Sequence, residues 1–194
     1  MITIRRKMRM RALLAAGAAG AMFALPVWAD EKRNAAEDKL EKPAYVDQDT
    51  ETTFRKVGEA RLKVFFWSIY DSRLYTPSGS YVEGERPLRL DIEYLRNIKA
   101  SDLVKRTHSE WKAMGREHPR QSEWLAQLGA LLPDIRSNDV LSMELHPDNA
   151  ASFRFNGELL GRIEDRDFGQ QFADIWLSGD CTRPELRLAL LGQA

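Results

Sequence analysis

Among its 194 residues the chain has a single cysteine, Cys181, so it forms no internal disulfide and must be held together by its core. Metal chemistry is hardly provided for. The three histidines, His108, His118 and His146, stand in no ligand spacing, and one cysteine writes no zinc pattern. There is no glycine-rich phosphate loop after a strand, no nucleophile elbow of the G-x-S-x-G type, and no cysteine placed beside an evident base. No metal and no cofactor is therefore expected, and only single polar residues remain as candidates for chemistry. The acidic run Glu164-Asp165-Arg166-Asp167 follows a strand pattern and precedes a helix pattern, where carboxylates cap the helix and complement its dipole. Internal repeats and low-complexity tracts are absent as well.

What is present begins with a leader. Arg5, Arg6, Lys7, Arg9 and Arg11 form a basic start, Ala12 to Leu25 an apolar run, and Val27-Trp28-Ala29 a small-residue cleavage pattern before Asp30. The apolar run is shorter than the ~20 residues of a spanning helix, is rich in alanine and glycine, and is closed by Pro26. Residues 1–29 thus read as a cleavable signal peptide that exports the protein to the periplasm. No cysteine near the cut points to lipid attachment. With those five cations gone from 29 basic residues, against 29 acidic ones, the remainder carries −5. It has no basic stripe for nucleic acid. The charged stretch that follows, 30–52, reads as a flexible lead-in, and 53–194 as one domain.

Within that domain, Ala60 to Phe66, Ile69 to Tyr75 and Leu88 to Tyr94 have the β-branched and aromatic content of strands, punctuated by Thr76-Pro77-Ser78-Gly79 and by Glu83 to Pro87. Helix patterns follow. Ser101 stands as a cap before Leu103, Val104, Thr107 and Trp111, and Ser122 before Trp124, Leu125, Leu128 and Leu132. Strand character returns at Val140 to Leu145, Ser152 to Phe155 and Leu159 to Ile163, with Asn156-Gly157 as a hairpin turn. Two last helices are predicted over Asp167 to Leu177 and Pro184 to Leu191. This order is α+β: an antiparallel sheet covered by helices.

Gly58 to Tyr75, GEARLKVFFWSIYDSRLY, sets Arg61 beside aromatic-rich strands, where a guanidinium could anchor the acidic head group of an apolar ligand. Strict alternation puts Ala60, Leu62, Val64 and Phe66 on one face and Arg61, Lys63, Phe65 and Trp67 on the other. Arg61 then reaches a cleft only if that cleft lies on the second face or a bulge re-aims it. The other reading is a salt-bridged strand arginine.

Together, this segment, LDIEYLRNIKASDLVKRTHSEW at 90–111, the Pro133-Asp134 step, the Phe155-Asn156-Gly157 hairpin with Gly161, and the closing FADIWLS and PELRLALLG resemble the chalcone isomerase-like family, in particular its exported bacterial branch. The likeness runs from about Val57 to Gly192. It implies an open-faced β-sandwich with a cleft between sheet and helices, which holds flavonoids in the plant enzymes and fatty acids in non-enzymatic relatives. The family's ligand arginine falls near Arg61. The enzymes' tyrosine falls at Ala100, their asparagine near Thr107, and their second-strand threonine at Tyr70. Alanine cannot hydrogen-bond a reacting oxygen, so the resemblance implies a non-catalytic domain binding a small amphipathic or fatty-acid-like molecule through Arg61, Phe66, Trp67, Tyr70 and Thr107. Two alternatives stand beside it. One is an isomerase or lyase of unsaturated carbonyl compounds using Arg61, Tyr70 and Thr107. The other is an envelope protein-interaction domain with a self-filled core and an exposed aromatic surface around Trp67 and Tyr81.

Overall fold

The computed structural model describes residues 52–194. The leader at 1–29 and nearly all of the lead-in at 30–52 lie outside the described residues. Six strands, β1 (Arg55–Val64), β2 (Trp67–Thr76), β3 (Leu88–Tyr94), β4 (Val140–Leu145), β5 (Ala151–Phe155) and β6 (Glu158–Ile163), pair in sequence order as one antiparallel sheet. Four helices accompany it: α1 (Ala100–Ala113) and α2 (Gln121–Leu131) between β3 and β4, then α3 (Arg166–Leu177) and α4 (Pro184–Leu190). The predicted α+β order is observed.

Alternation along the strands separates the two faces. Cross-strand neighbours Ser72, Ile92, Leu141 and Phe155 form one row on the helix side, and Leu74, Leu90, Met143 and Phe153 the next. Most of these side chains are buried in the core with Trp111, Trp124, Phe168 and Leu190. The intervening positions form a charged ladder on the other face. There Arg61 lies across from Asp71, and Arg73 bonds Glu93 at 3.0 Å. Arg61 and Asp71 face each other and Arg73 and Glu93 are diagonal neighbours; opposite charges so placed stabilise such a surface by a few tenths of a kcal/mol up to about 1 kcal/mol per pair.

Local chemistry fixes the helix ends. The Ala100 N–H at the start of α1 is capped from a distance by Asp134 Oδ1 at 2.9 Å, not by Ser101, which lies inside the helix. α2 likewise begins before Ser122, at Gln121. Asp165 caps α3 by accepting the Asp167 N–H at 3.0 Å, and Arg120 pairs with Asp165 at 2.5 Å and Asp167 at 2.8 Å. The acidic run thus serves as a cap, as its position predicts. Hydrogen bonds from Trp124 and Asp167, with the Arg120 charge, outweigh the burial that would raise the Asp165 carboxyl and hold it below its ordinary range.

The expected first strand needs correction at both ends. It starts at Arg55, and it stops at Val64, because Phe65 and Phe66 form a two-residue turn that returns the chain to Trp67. Neither residue carries the glycine or asparagine signal by which such turns are read.

The last helix is seated by Gly58. A Cβ there would come 2.3 Å from the Ala189 carbonyl oxygen and 2.6 Å from that of Leu190. Both contacts are backbone, so neither can swing aside. Gly58→Ala should therefore destabilise the domain by about 1–3 kcal/mol. Urea unfolding would show the loss, and trypsin should cut faster at Arg187 as α4 loosens from β1.

Candidate functional site

Between the helix-side face of the sheet and the helices lies a cavity of about 400 Å³. Apolar side chains from both layers line it, among them Leu62, Ile92 and Leu141 from the sheet and Leu103, Ile175 and Leu186 from the helices. The sheet–helix boundary is therefore not filled by the chain's own side chains, as the self-filled reading required. The volume falls within the ~300–1,000 Å³ of pockets that enclose small organic molecules.

Few polar groups face this space. Tyr70 and Tyr94 are register partners on β2 and β3, their rings edge-on at 5.9 Å. The Tyr70 hydroxyl accepts a hydrogen bond from Trp176 Nε1 at 3.0 Å. Burial pushes its pKa up to about 12, against the lowering effect of that bond and of Arg106 and Arg183. Burial likewise pushes the Tyr94 phenol up. Both rings therefore present neutral hydroxyls at ordinary pH. That of Tyr94 has no hydrogen-bond partner among the described residues, although the residue is 95% buried (5% exposed). A hydroxyl on the cavity wall is suited to a ligand oxygen.

Charge gathers where α1 meets the start of α4. Arg106 is ion-paired with Glu110 one helical turn on, and the Thr182 hydroxyl donates to Glu110 Oε2 at 2.5 Å. Asp102, also lining the cavity, pairs with Lys105 at 3.4 Å. Arg183 lines the same space and has no ion pair among the described residues. It occupies the N-cap position of α4, where Ser, Thr, Asp or Asn is favoured and a cation opposes the helix dipole.

Of the five residues singled out from the sequence, Tyr70 and Thr107 line the cavity. Thr107 spends its hydroxyl hydrogen on the Leu103 carbonyl at 3.0 Å, within its own helix. Arg61 must be corrected. It projects from the opposite face of the sheet in a bidentate pair with Asp71, Nε to Oδ1 at 2.6 Å and Nη2 to Oδ2 at 2.7 Å. That pair holds the Asp71 carboxyl below its ordinary range. The bulge between Leu62 and Lys63 falls after Arg61 and does not re-aim it. Phe66 and Trp67 are corrected too, since they lie at the β1–β2 turn, exposed, and are not cavity walls. Ala100, in the place of the enzymes' tyrosine, is not among the lining residues.

Sequence reasoning missed Tyr94, Trp176 and Arg183. Period two carried a signal for the first, because Tyr94 is in phase with Leu88, Leu90 and Ile92. An arginine directly before the N1 proline of α4 was the signal for the last. No group of three or more potential metal ligands occurs among the described residues.

Comparison with known proteins agrees with this architecture. The model of the family described as chalcone isomerase-like matches residues 43–192. A protein of Haemophilus influenzae described only as uncharacterized is 29% identical over 140 residues, covering 72% of this chain and 69% of its own. Among solved structures, a fatty-acid binding protein of Arabidopsis thaliana superposes with a TM-score of 0.57 at 11% identity, over 77% of this chain and 90% of that one. At that identity the likeness is one of fold.

Proposed function

The chain belongs to the chalcone isomerase-like family, and we propose that it is a non-catalytic binding domain for a single-chain amphipathic carboxylate of the fatty-acid kind. The observation that carries this reading is the apolar cavity of about 400 Å³ with Arg183 as its one lining cation that has no ion pair among the described residues. Apolar burial supplies most of the affinity, at about 25 cal/mol per Å² removed from water. Charge-assisted hydrogen bonds from Arg183 orient the carboxylate, and the Tyr94 hydroxyl is a further donor within the same cavity. That a fatty-acid binding protein of Arabidopsis thaliana shares this fold supports the ligand class.

Chemistry on the ligand is not part of the proposal. Donors aimed at developing charge are usually the largest catalytic contribution. The position that resembles the enzymes' tyrosine is Ala100, whose methyl group donates nothing. We also assign the protein to the periplasm, exported by residues 1–29. N-terminal sequencing of protein recovered from the envelope should read from Asp30.

Calorimetric titration with palmitate tests the binding. One site per chain is expected, and Arg183→Ala should weaken it about 10- to 100-fold, the worth of hydrogen bonds to a charged group. The same variant should bind the corresponding alcohol as the parent does. Equal palmitate affinity in parent and variant would remove Arg183 from the site, and no binding to either would reject the proposal.

A further inference from the structure

The most exposed apolar feature among the described residues is the β1–β2 turn. Phe65 is 91% exposed, Phe66 99% and Trp67 61%, three consecutive aromatic side chains that a domain with a well-filled core would otherwise bury. Phe65 also sits at φ 54°, the left-handed region that an aromatic residue rarely adopts. Asparagine and glycine are the residues for such a turn, and they would relieve the conformation. Backbone strain retained beside exposed aromatics points to a role for the tip outside the fold itself.

The charge around the tip is of one sign. From Lys63 to Ile69 and from Leu95 to Lys99 there is no acidic residue, while Lys63, Arg96 and Lys99 are cations. The two segments are joined by a hydrogen bond from the Leu95 N–H to the Ile69 carbonyl at 2.9 Å. The Arg96 guanidinium lies 4.4 Å from the centre of the Trp67 ring. The nearest acids on the adjoining strands, Asp71 and Glu93, are already matched by Arg61 and Arg73. Exposed aromatic side chains, with Arg96 over Trp67 and lysines in the two flanking segments, fit the boundary of an anionic bilayer, the rings at headgroup depth and the cations on lipid phosphate.

We propose that the Phe65-Phe66-Trp67 tip docks on an anionic lipid surface. The tip also adjoins the cavity, since Val64 directly before it and Ile69 two residues beyond Trp67 are both lining residues. Docking there brings one end of the cavity to the membrane, the source or destination of an amphipathic molecule. The proposal concerns the tip alone and does not depend on which molecule fills the cavity.

The test uses the whole chain with a local readout, because the apolar leader can itself partition into lipid. An environment-sensitive dye is attached at Phe66→Cys in a Cys181→Ser background, with Val82→Cys as an exposed control away from the tip. Vesicles of phosphatidylethanolamine and phosphatidylglycerol should blue-shift the dye at position 66 and leave that at position 82 unchanged, whereas phosphatidylcholine vesicles should do neither. Lys63→Gln should weaken the response about fivefold, as expected for one cation near the surface. Salt should weaken it further by screening. Should the Cys181→Ser background unfold, quenching of Trp67 by brominated lipid, compared with a Trp67→Phe variant, gives the same reading. A tip dye that keeps its aqueous emission with every vesicle overturns the proposal, and so does an equal response to phosphatidylcholine alone.

Discussion

Phe168→Ala should cost the domain about 3–5 kcal/mol, the usual loss on deleting a fully buried phenyl ring. The ring is completely buried and meets four others: Trp111 at 6.4 Å, Trp124 at 5.8 Å, Phe153 at 6.1 Å and Phe172 at 5.5 Å. The two indoles have little freedom to close the gap, since Trp111 donates to the Gln171 carbonyl at 2.9 Å and Trp124 to Asp165 Oδ2 at 2.7 Å. A domain of this size has about 5–15 kcal/mol in all, so much of its stability would be gone. Urea unfolding followed by tryptophan fluorescence measures the change. The exposed Leu188→Ala serves as a control that should stay within about 0.5 kcal/mol of the parent. A loss at Phe168 below about 1 kcal/mol would mean that this cluster is not the centre of the core.

The second large effect separates binding from stability. Ile92→Phe combined with Leu103→Phe adds bulk to the cavity from the sheet and from α1 together, since both residues line it. Palmitate affinity should fall by at least about tenfold, the equivalent of losing burial of two or more methylene groups. Stability should hold or rise, because the added rings occupy space already present and do not displace packed neighbours. If affinity is unchanged while the variant stays folded, the ligand binds elsewhere. A variant that loses both affinity and stability would show that the space is too small to accept the rings.

How far the sequence discloses this molecule depends on which physical signal each part carries. The sheet was legible because its two faces differ so sharply: Leu88, Leu90, Ile92 and Tyr94 alternate with Arg89, Asp91 and Glu93. Asn156-Gly157 announced its turn, with φ of 51° and 89° at the two positions. Phe65-Phe66 carries no such signal, so the strand pattern reads on through it and places Phe66 and Trp67 in a cleft, although they cap the end of a hairpin. The same alternation that located the sheet also put Arg61 opposite Leu62, and the structure follows the alternation. The resemblance drew attention to Arg61, whereas the facing of a strand residue is decided by its phase. Arg183 lay beyond any periodic argument, because it reaches the cavity from a loop whose path is set by long-range packing of α4 against β1.

The measurement closest to the central claim is native mass spectrometry of protein purified from cells without delipidation. The account predicts one added mass per chain, corresponding to a carboxylate amphipath, released on denaturation and exchanged for palmitate when palmitate is supplied. Arg183→Ala should carry markedly less of it. A bare chain that takes up no fatty acid even when it is supplied in excess would contradict the account.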